Sequence, residues 1–247
     1  MRGLSADTPN DRGPGSQPPR TRLLLASQSP RRRRLLVWLG LPFSTTAVDT
    51  PEDLDTPLAR NPSALAESLA AEKAEAVCEA GLGSGALVLC FDTIVVLDES
   101  VLGKPRDLAD AWRMLRALSG RTHQVVTGVA LVLPGEMAPR TFAVVTSVEM
   151  KPLTDSRIEA WMAQGEFMGC AGAYNIEGQV AEVTADECFQ NVAGLPLCHL
   201  YAELQREADR SEGGYLVESR PTSPVAACDA ALGRSCHLGP RVVSSAG

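Results

Sequence analysis

The chain has 247 residues, a net charge of −7 and an isoelectric point near 5.1, with 45 % hydrophobic and only 4 % aromatic residues. That length suits one large domain or two small ones with a substantial core, and the acidic balance argues against broad electrostatic binding to nucleic acid. No run reaches the roughly 18 apolar residues of a membrane span, and the cysteines form no CxxC pair, so they read as reduced core residues of a cytoplasmic protein.

Residues 1–21 are polar, rich in Pro and Gly, and expected to be a disordered tail without the apolar segment of a signal peptide. "LLLASQSPRRRRLL" (Leu23–Leu36) predicts a strand, a short loop and a helix from about Pro30 to Leu39. Ser29 suits the N-cap and Pro30 the first turn, while Gly40 and Pro42 supply the stop. Asn61-Pro62 starts a helix running to about Ala80, and "ALVLCFDTIVVLD" (Ala86–Asp98) reads as one buried strand or two. Asp107–Gly120 is an amphipathic helix. "HQVVTGVALVL" and "TFAVVTSVEM" are strands across a Pro/Gly loop. Thr154 or Asp155 caps a short helix, and Pro196 opens the last one. Residues 209–247 show weak periodicity and are expected to be a poorly ordered tail, with Tyr215–Val217 and Val225–Ala227 as places that could pack locally. The alternation of strands and helices predicts an α/β fold.

Three placements of charge stand out. Arg31 and Arg32 sit in a helical first turn, where the macrodipole disfavours cations by roughly 0.3–1 kcal/mol each; an anion held there would explain them, and a solvated basic face is the alternative. Asp92 interrupts an apolar run, which is costly unless the carboxylate is paired or bound to a metal; a turn between two strands is the bland reading. Lys73 falls on the apolar stripe Ala66, Leu69, Ala70, Val77, so it either faces inward or snorkels at the edge. Lys104 lies on the turn "VLGKPRD". Together these cations could serve several phosphates, with Asp92 and a second acid holding a divalent cation. Neither a P-loop nor a dinucleotide fingerprint is present, since "DESVLGKP" lacks the first glycine and "GLGSG" precedes a strand.

The motifs "LASQSPRRRRLL", "LAAEKA", "FDTIVVLD…VLGKP", "MLRALSGRTHQVVTGVAL", "CAGAYNIEG" and "GLPL" occur in the order and approximate spacing of the Maf-like nucleoside triphosphate pyrophosphatases. The chain resembles that family over about residues 22–208. The resemblance implies a mixed, twisted sheet with flanking helices, and two lobes around a deep cleft. It implies hydrolysis of a nucleoside triphosphate between its α- and β-phosphates, with Mg²⁺ or Mn²⁺. Carried over by position, Ser27, Arg31 and Arg32 would lie in the phosphate-binding loop. Lys73 and Lys104 match the family's two lysines, and Asp92 its proton acceptor. Glu52 would be the acid near the metal, with Asp49 and Asp53 as alternatives. Arg33 and Arg34 are expected to face solvent. The substrate would be the principal partner, with no nucleic acid and no membrane; a homodimer stays open.

Base preference in the family is associated with the positions of Arg31, Thr93 and Glu177. Thr93 resembles the subgroup acting on dTTP and UTP. Cys170 and Glu177 instead resemble the subgroup acting on 7-methyl-GTP, and a carboxylate complements a cationic methylated ring. The expectation leans to 7-methyl-GTP, with dTTP/UTP as the alternative. A non-catalytic nucleotide sensor linked to cell division is the rival reading, against which the intact set Lys73, Asp92 and Lys104 argues.

Overall fold

A computed structural model describes residues 22–210 and 220–245. The expected N-terminal tail and Tyr215–Val217 lie outside the described residues.

β1 (Arg22–Ala26) leads through a short loop into α1 (Pro30–Leu36), which a 3-10 turn extends to Leu39 and Gly40 ends in the left-handed region. The Ser29 hydroxyl accepts the Arg32 backbone N–H at 3.4 Å, so the cap forms where the sequence places it. Leu35, Leu36 and Leu39 are buried. Each contributes on the order of 1.5–3 kcal/mol, which outweighs the wrong-signed arginines and explains why the helix forms despite them.

β2 (Phe43–Thr46) follows, then α2 (Pro62–Glu79), capped by Asn61, whose side-chain oxygen accepts the Ala64 N–H. β3 (Ala86–Leu97) is a single strand with Asp92 in its middle, not two strands joined by a turn. β4 (Ser100–Leu102), α3 (Leu108–Leu118), β5 (Thr122–Val132), β6 (Arg140–Met150) and α4 (Asp155–Met162) come next. β7 (Ala181–Glu182), α5 (Phe189–Val192) and α6 (Leu197–Arg210) complete the predicted region.

The strands form one mixed, seven-stranded sheet in the order β2-β1-β3-β5-β6-β7, with β4 also paired to β3. β1 is parallel to β2 and β3, and the remaining pairs are antiparallel. β3 is central and buried on both faces, as its continuous apolar run requires. Leu87, Leu89, Phe91, Val95 and Leu97 face the large core shared with α1, α3, α4 and α6. Ala86, Val88, Cys90, Ile94 and Val96 face α2. All seven cysteines carry free thiols, and five are buried.

Residues 220–245 depart from the expected poorly ordered tail. They form α7 (Val225–Leu232) and α8 (Leu238–Ser244), which pack back on the core. The Thr222 N–H bonds the Leu39 carbonyl at 2.8 Å and the His237 N–H bonds the Ala185 carbonyl at 2.9 Å. These helices span only two turns each, too short for a periodic signal to emerge from a segment rich in small residues. No helix among the described residues is long and apolar enough to cross a membrane.

Candidate active site

Strand register creates the site. β1 pairs with β3 only as far as Cys90, and β4 pairs with it only from Val95. The edge of β3 from Phe91 to Ile94 is therefore uncovered on that side, and a cavity of about 690 Å³ opens there. Asp92 and Thr93 both line it. As neighbours on a strand they project to opposite faces: Asp92 toward α2, Thr93 toward α1.

Asp92 is 3 % exposed. Its Oδ1 accepts from the Lys73 ammonium, while its Oδ2 is buried without a partner. Lys73 therefore faces inward, resolving the choice the helical stripe leaves open. The same ammonium donates to Glu52 Oε1 at 2.9 Å, and Lys104 donates to that oxygen at 2.5 Å. Burial opposes the charge on Lys73 and on Glu52, but their mutual attraction and that of Asp92 and Lys104 win. The Lys73 pKa is raised and the Glu52 pKa is lowered, so both groups are charged at neutral pH. Of the three acids in "VDTPED", Glu52 joins the lysines. Asp53 caps the Asp55 N–H in a local turn, and Asp49 lines the cavity but accepts from Gln28.

A glycine makes this contact fit. Gly128 of β5 stands opposite Asp92 in the ladder, and a Cβ there would run into the Ala66 carbonyl of α2. The missing side chain lets the α2 backbone settle onto β5. Two turns further along the same face, Lys73 reaches Asp92. A glycine inside "VVTGVALVL" is the sequence signal for such a close approach.

On the other face, Arg32 is held by neutral acceptors. Its Nε donates to the Gly194 carbonyl at 2.8 Å, Nη2 to Thr93 Oγ1 at 3.0 Å and Nη1 to Ser27 Oγ at 3.4 Å. Its guanidinium also lies 5.5 Å over the Phe91 ring. Burial pulls its pKa down, only partly offset by Asp92. The Thr93 hydroxyl passes the network to Thr127, whose Oγ1 donates to the Asn191 carbonyl. Asn191 Nδ2 in turn bonds the Val125 and Val144 carbonyls, pinning α5 to β5 and β6. Thr127 and Asn191 are support residues with little trace in the sequence beyond the polar Gln190-Asn191 pair inside the otherwise apolar "FQNVAGLPL", and both are fully buried.

Arg31 points along the cavity, its Nη2 donating to Cys170 Sγ at 3.2 Å and its buried Nε without a partner. Arg33 is exposed as expected. Arg34 is exposed too, but it lines the cavity rim and pairs with Glu177, one nitrogen reaching both carboxylate oxygens at 2.7 Å. All nine predicted site residues therefore meet at one cavity: Ser27, Arg31, Arg32, Glu52, Lys73, Asp92, Thr93, Lys104 and Glu177.

The residues at the cavity floor suit a hard divalent cation. Asp92 and Glu52 offer carboxylate oxygens on either side of one ammonium, and Asp92 Oδ2 lacks any other partner. No group of three or more His, Cys, Asp or Glu positioned to hold a metal occurs among the described residues. Two carboxylates with the remaining ligands from substrate and water is how Mg²⁺ is ordinarily held.

Residues 22–207 match the family model described as Maf-like protein. The chain belongs to the Maf-like protein family. Its relatives include a "dTTP/UTP pyrophosphatase" from Geobacter metallireducens, 42 % identical over 76 % of this chain and 97 % of that protein. A protein of the same name from Moorella thermoacetica is 47 % identical over 72 % and 90 %. Among solved structures, a dITP/XTP pyrophosphatase from Mycobacterium abscessus overlaps 54 % of this chain and 76 % of its own, with a TM-score of 0.33 and 17 % identity. The Maf-like match ends before α7 and α8.

Proposed function

We propose that this Maf-like protein is a nucleoside triphosphate pyrophosphatase, cleaving between the α- and β-phosphates to release a nucleoside monophosphate and pyrophosphate, with dTTP and UTP as preferred substrates. The observation that carries the reading is Lys73, half-buried and held between Glu52 and Asp92 in a cavity also lined by Arg31, Arg32 and Lys104. Phosphoryl transfer needs positioning and charge stabilisation more than covalent chemistry, and this set supplies both. Arg31, Lys73 and Lys104 bind phosphate oxygens and offset charge on the leaving pyrophosphate. Arg32 holds the α1 loop in place through Ser27, Thr93 and Gly194. Asp92 takes the proton of a water that attacks the α-phosphorus as the bond to the bridging oxygen breaks. Asp92 and Glu52 would hold Mg²⁺ or Mn²⁺, which when bound polarises the phosphate oxygens.

The choice of dTTP and UTP is supported by the names of the relatives and by Thr93. The 7-methyl-GTP preference suggested by Cys170 and Glu177 is unsupported. Glu177 is paired with Arg34, whose positive charge offsets the attraction the carboxylate would offer a cationic ring.

The test is pyrophosphate release from dTTP, UTP, GTP and 7-methyl-GTP with Mg²⁺ or Mn²⁺, alongside an Asp92→Asn variant. Release from dTTP and UTP that is lost in the variant and on chelation is expected. A folded protein that releases pyrophosphate from none of them would end the proposal, and full activity in Asp92→Asn would end the role of that residue.

A further inference from the structure

The charges lining the cavity differ in depth. Its floor holds Lys73 and Asp92, whose side chains are 16 % and 4 % exposed, with Arg31 and Arg32 half-buried. Its rim holds Arg34 and Glu177, 61 % and 44 % exposed. Arg34 follows Arg31 by three residues on α1, so both lie on one helical face, with Arg34 about 4.5 Å further along the axis. If the phosphates occupy the floor, the nucleoside extends toward that rim. The rim charges come from different parts of the chain, Arg34 from α1 and Glu177 from the 3-10 turn Ile176–Gly178. They meet through a single guanidinium nitrogen placed 2.7 Å from both carboxylate oxygens.

We infer that Arg34 is a specificity-determining residue that masks Glu177 and thereby excludes cationic bases from the cavity. This rests on the pyrophosphatase reading. The paired rim presents a donor beside an acceptor and carries no net charge. A neutral imide edge, with N–H flanked by carbonyls as in uracil and thymine, can use both partners. A ring bearing a fixed positive charge meets Arg34 as a like charge, which offsets the attraction of Glu177. Selectivity of this kind comes from the repulsive element as much as from the attractive one. With Arg34 removed, the same Glu177 becomes a free carboxylate that attracts such a ring.

The experiment measures kcat/KM for UTP and 7-methyl-GTP in the wild type, Arg34→Gln, Arg34→Lys and the double variant Arg34→Gln/Glu177→Gln. In Arg34→Gln the ratio of 7-methyl-GTP to UTP is expected to rise about tenfold, the order of effect for an unmasked charge at a partly exposed site. Arg34→Lys, which keeps the positive charge, should stay within about twofold of wild type, and the double variant should lose the gain. Thermal melts within a few degrees of wild type confirm folding, which an exposed position should tolerate. Robust UTP hydrolysis with an unchanged ratio in Arg34→Gln would overturn the inference while leaving the pyrophosphatase reading intact. A gain that survives in the double variant would overturn it as well, because Glu177 would not be its source. Absence of hydrolysis in every protein, wild type included, would remove the pyrophosphatase reading and this inference with it.

Discussion

Lowering the pH should destabilise the fold through His123. The imidazole lies on β5, 3 % exposed, with Nε2 2.6 Å from the Tyr174 hydroxyl. Burial lowers its pKa from 6.5 to about 4, against a smaller upward pull from the Arg121 backbone. A group whose folded pKa is depressed binds its proton more readily in the unfolded chain. Its contribution is thus complete above about pH 6.5 and is lost as the pH falls toward 4. At 1.36 kcal/mol per unit, the full loss is about 3 kcal/mol, and about 2.5 kcal/mol of it is expected by pH 4.5. That is a large part of an ordinary domain's stability of about 5–15 kcal/mol. Urea unfolding at pH 7.5, 5.5 and 4.5 reads this directly, and His123→Gln, which cannot titrate, removes the contribution of every other acid by difference. The wild type should lose about 2.5 kcal/mol more than the variant between the two extremes. Parallel profiles for the two proteins would refute the argument. Because Tyr174 also lines the cavity, the same titration should raise KM in the acid range before global unfolding begins.

Three substitutions probe the scaffold around the acids. Gly128→Ala should cost about 1–3 kcal/mol in urea melts, since its Cβ meets α2 backbone that cannot rotate away. It should also cut kcat by moving Lys73, and an unchanged kcat would separate the α2 position from catalysis. Lys73→Met should destabilise by about 3–5 kcal/mol because it strands Asp92 as a buried charge. The loss should shrink sharply when Asp92→Asn is added, and equal losses in both backgrounds would contradict the pairing. Arg31→Ala should raise KM for the triphosphate with little change in unfolding free energy, whereas unaltered kinetics would remove Arg31 from substrate binding.

The elements with periodic or capped signals are legible in the amino-acid sequence: α2 from Asn61-Pro62, α3 from Asp107, α4 from Thr154 and the strand–loop–helix at Leu23–Leu36. The basic and acidic site residues are legible for a different reason. Asp92 in an apolar run and Lys73 on an apolar stripe are expensive where they stand, and each points to the other. What the sequence hides is their distance. Nothing in the spacing from Lys73 to Asp92 says that a glycine on a third element lets α2 close onto the sheet. The Arg34–Glu177 pair is hidden for a related reason, because 143 residues separate its members and an exposed charge carries no local cost to betray it. α7 and α8 carry no such signal, since their stability comes from packing, α8 on α6 and α7 through Cys228 against Gln190 of α5, and not from their own pattern.

The charges lining the cavity explain why a divalent cation belongs in the proposed reaction. Five basic residues (Arg31, Arg32, Arg34, Lys73, Lys104) face five acidic ones (Asp49, Glu52, Asp92, Glu166, Glu177), so the lining has no net charge. A triphosphate brings about four negative charges. For Lys73 and Lys104 to turn toward the phosphates they must leave Glu52 and Asp92, and two partly buried carboxylates left unpaired cost several kcal/mol. A metal-free triphosphate offers those carboxylates nothing but further repulsion. Glu52 and Asp92 would hold a divalent cation brought by the triphosphate, which would replace the lysines as their partner. The ammonium of Lys73 thus stands in the free protein where positive charge is needed in any case, and its bond to Asp92 fixes that carboxylate's position. On this reasoning the proposed metal would serve charge exchange on binding as well as chemistry, and chelation is expected to raise KM as well as lower kcat.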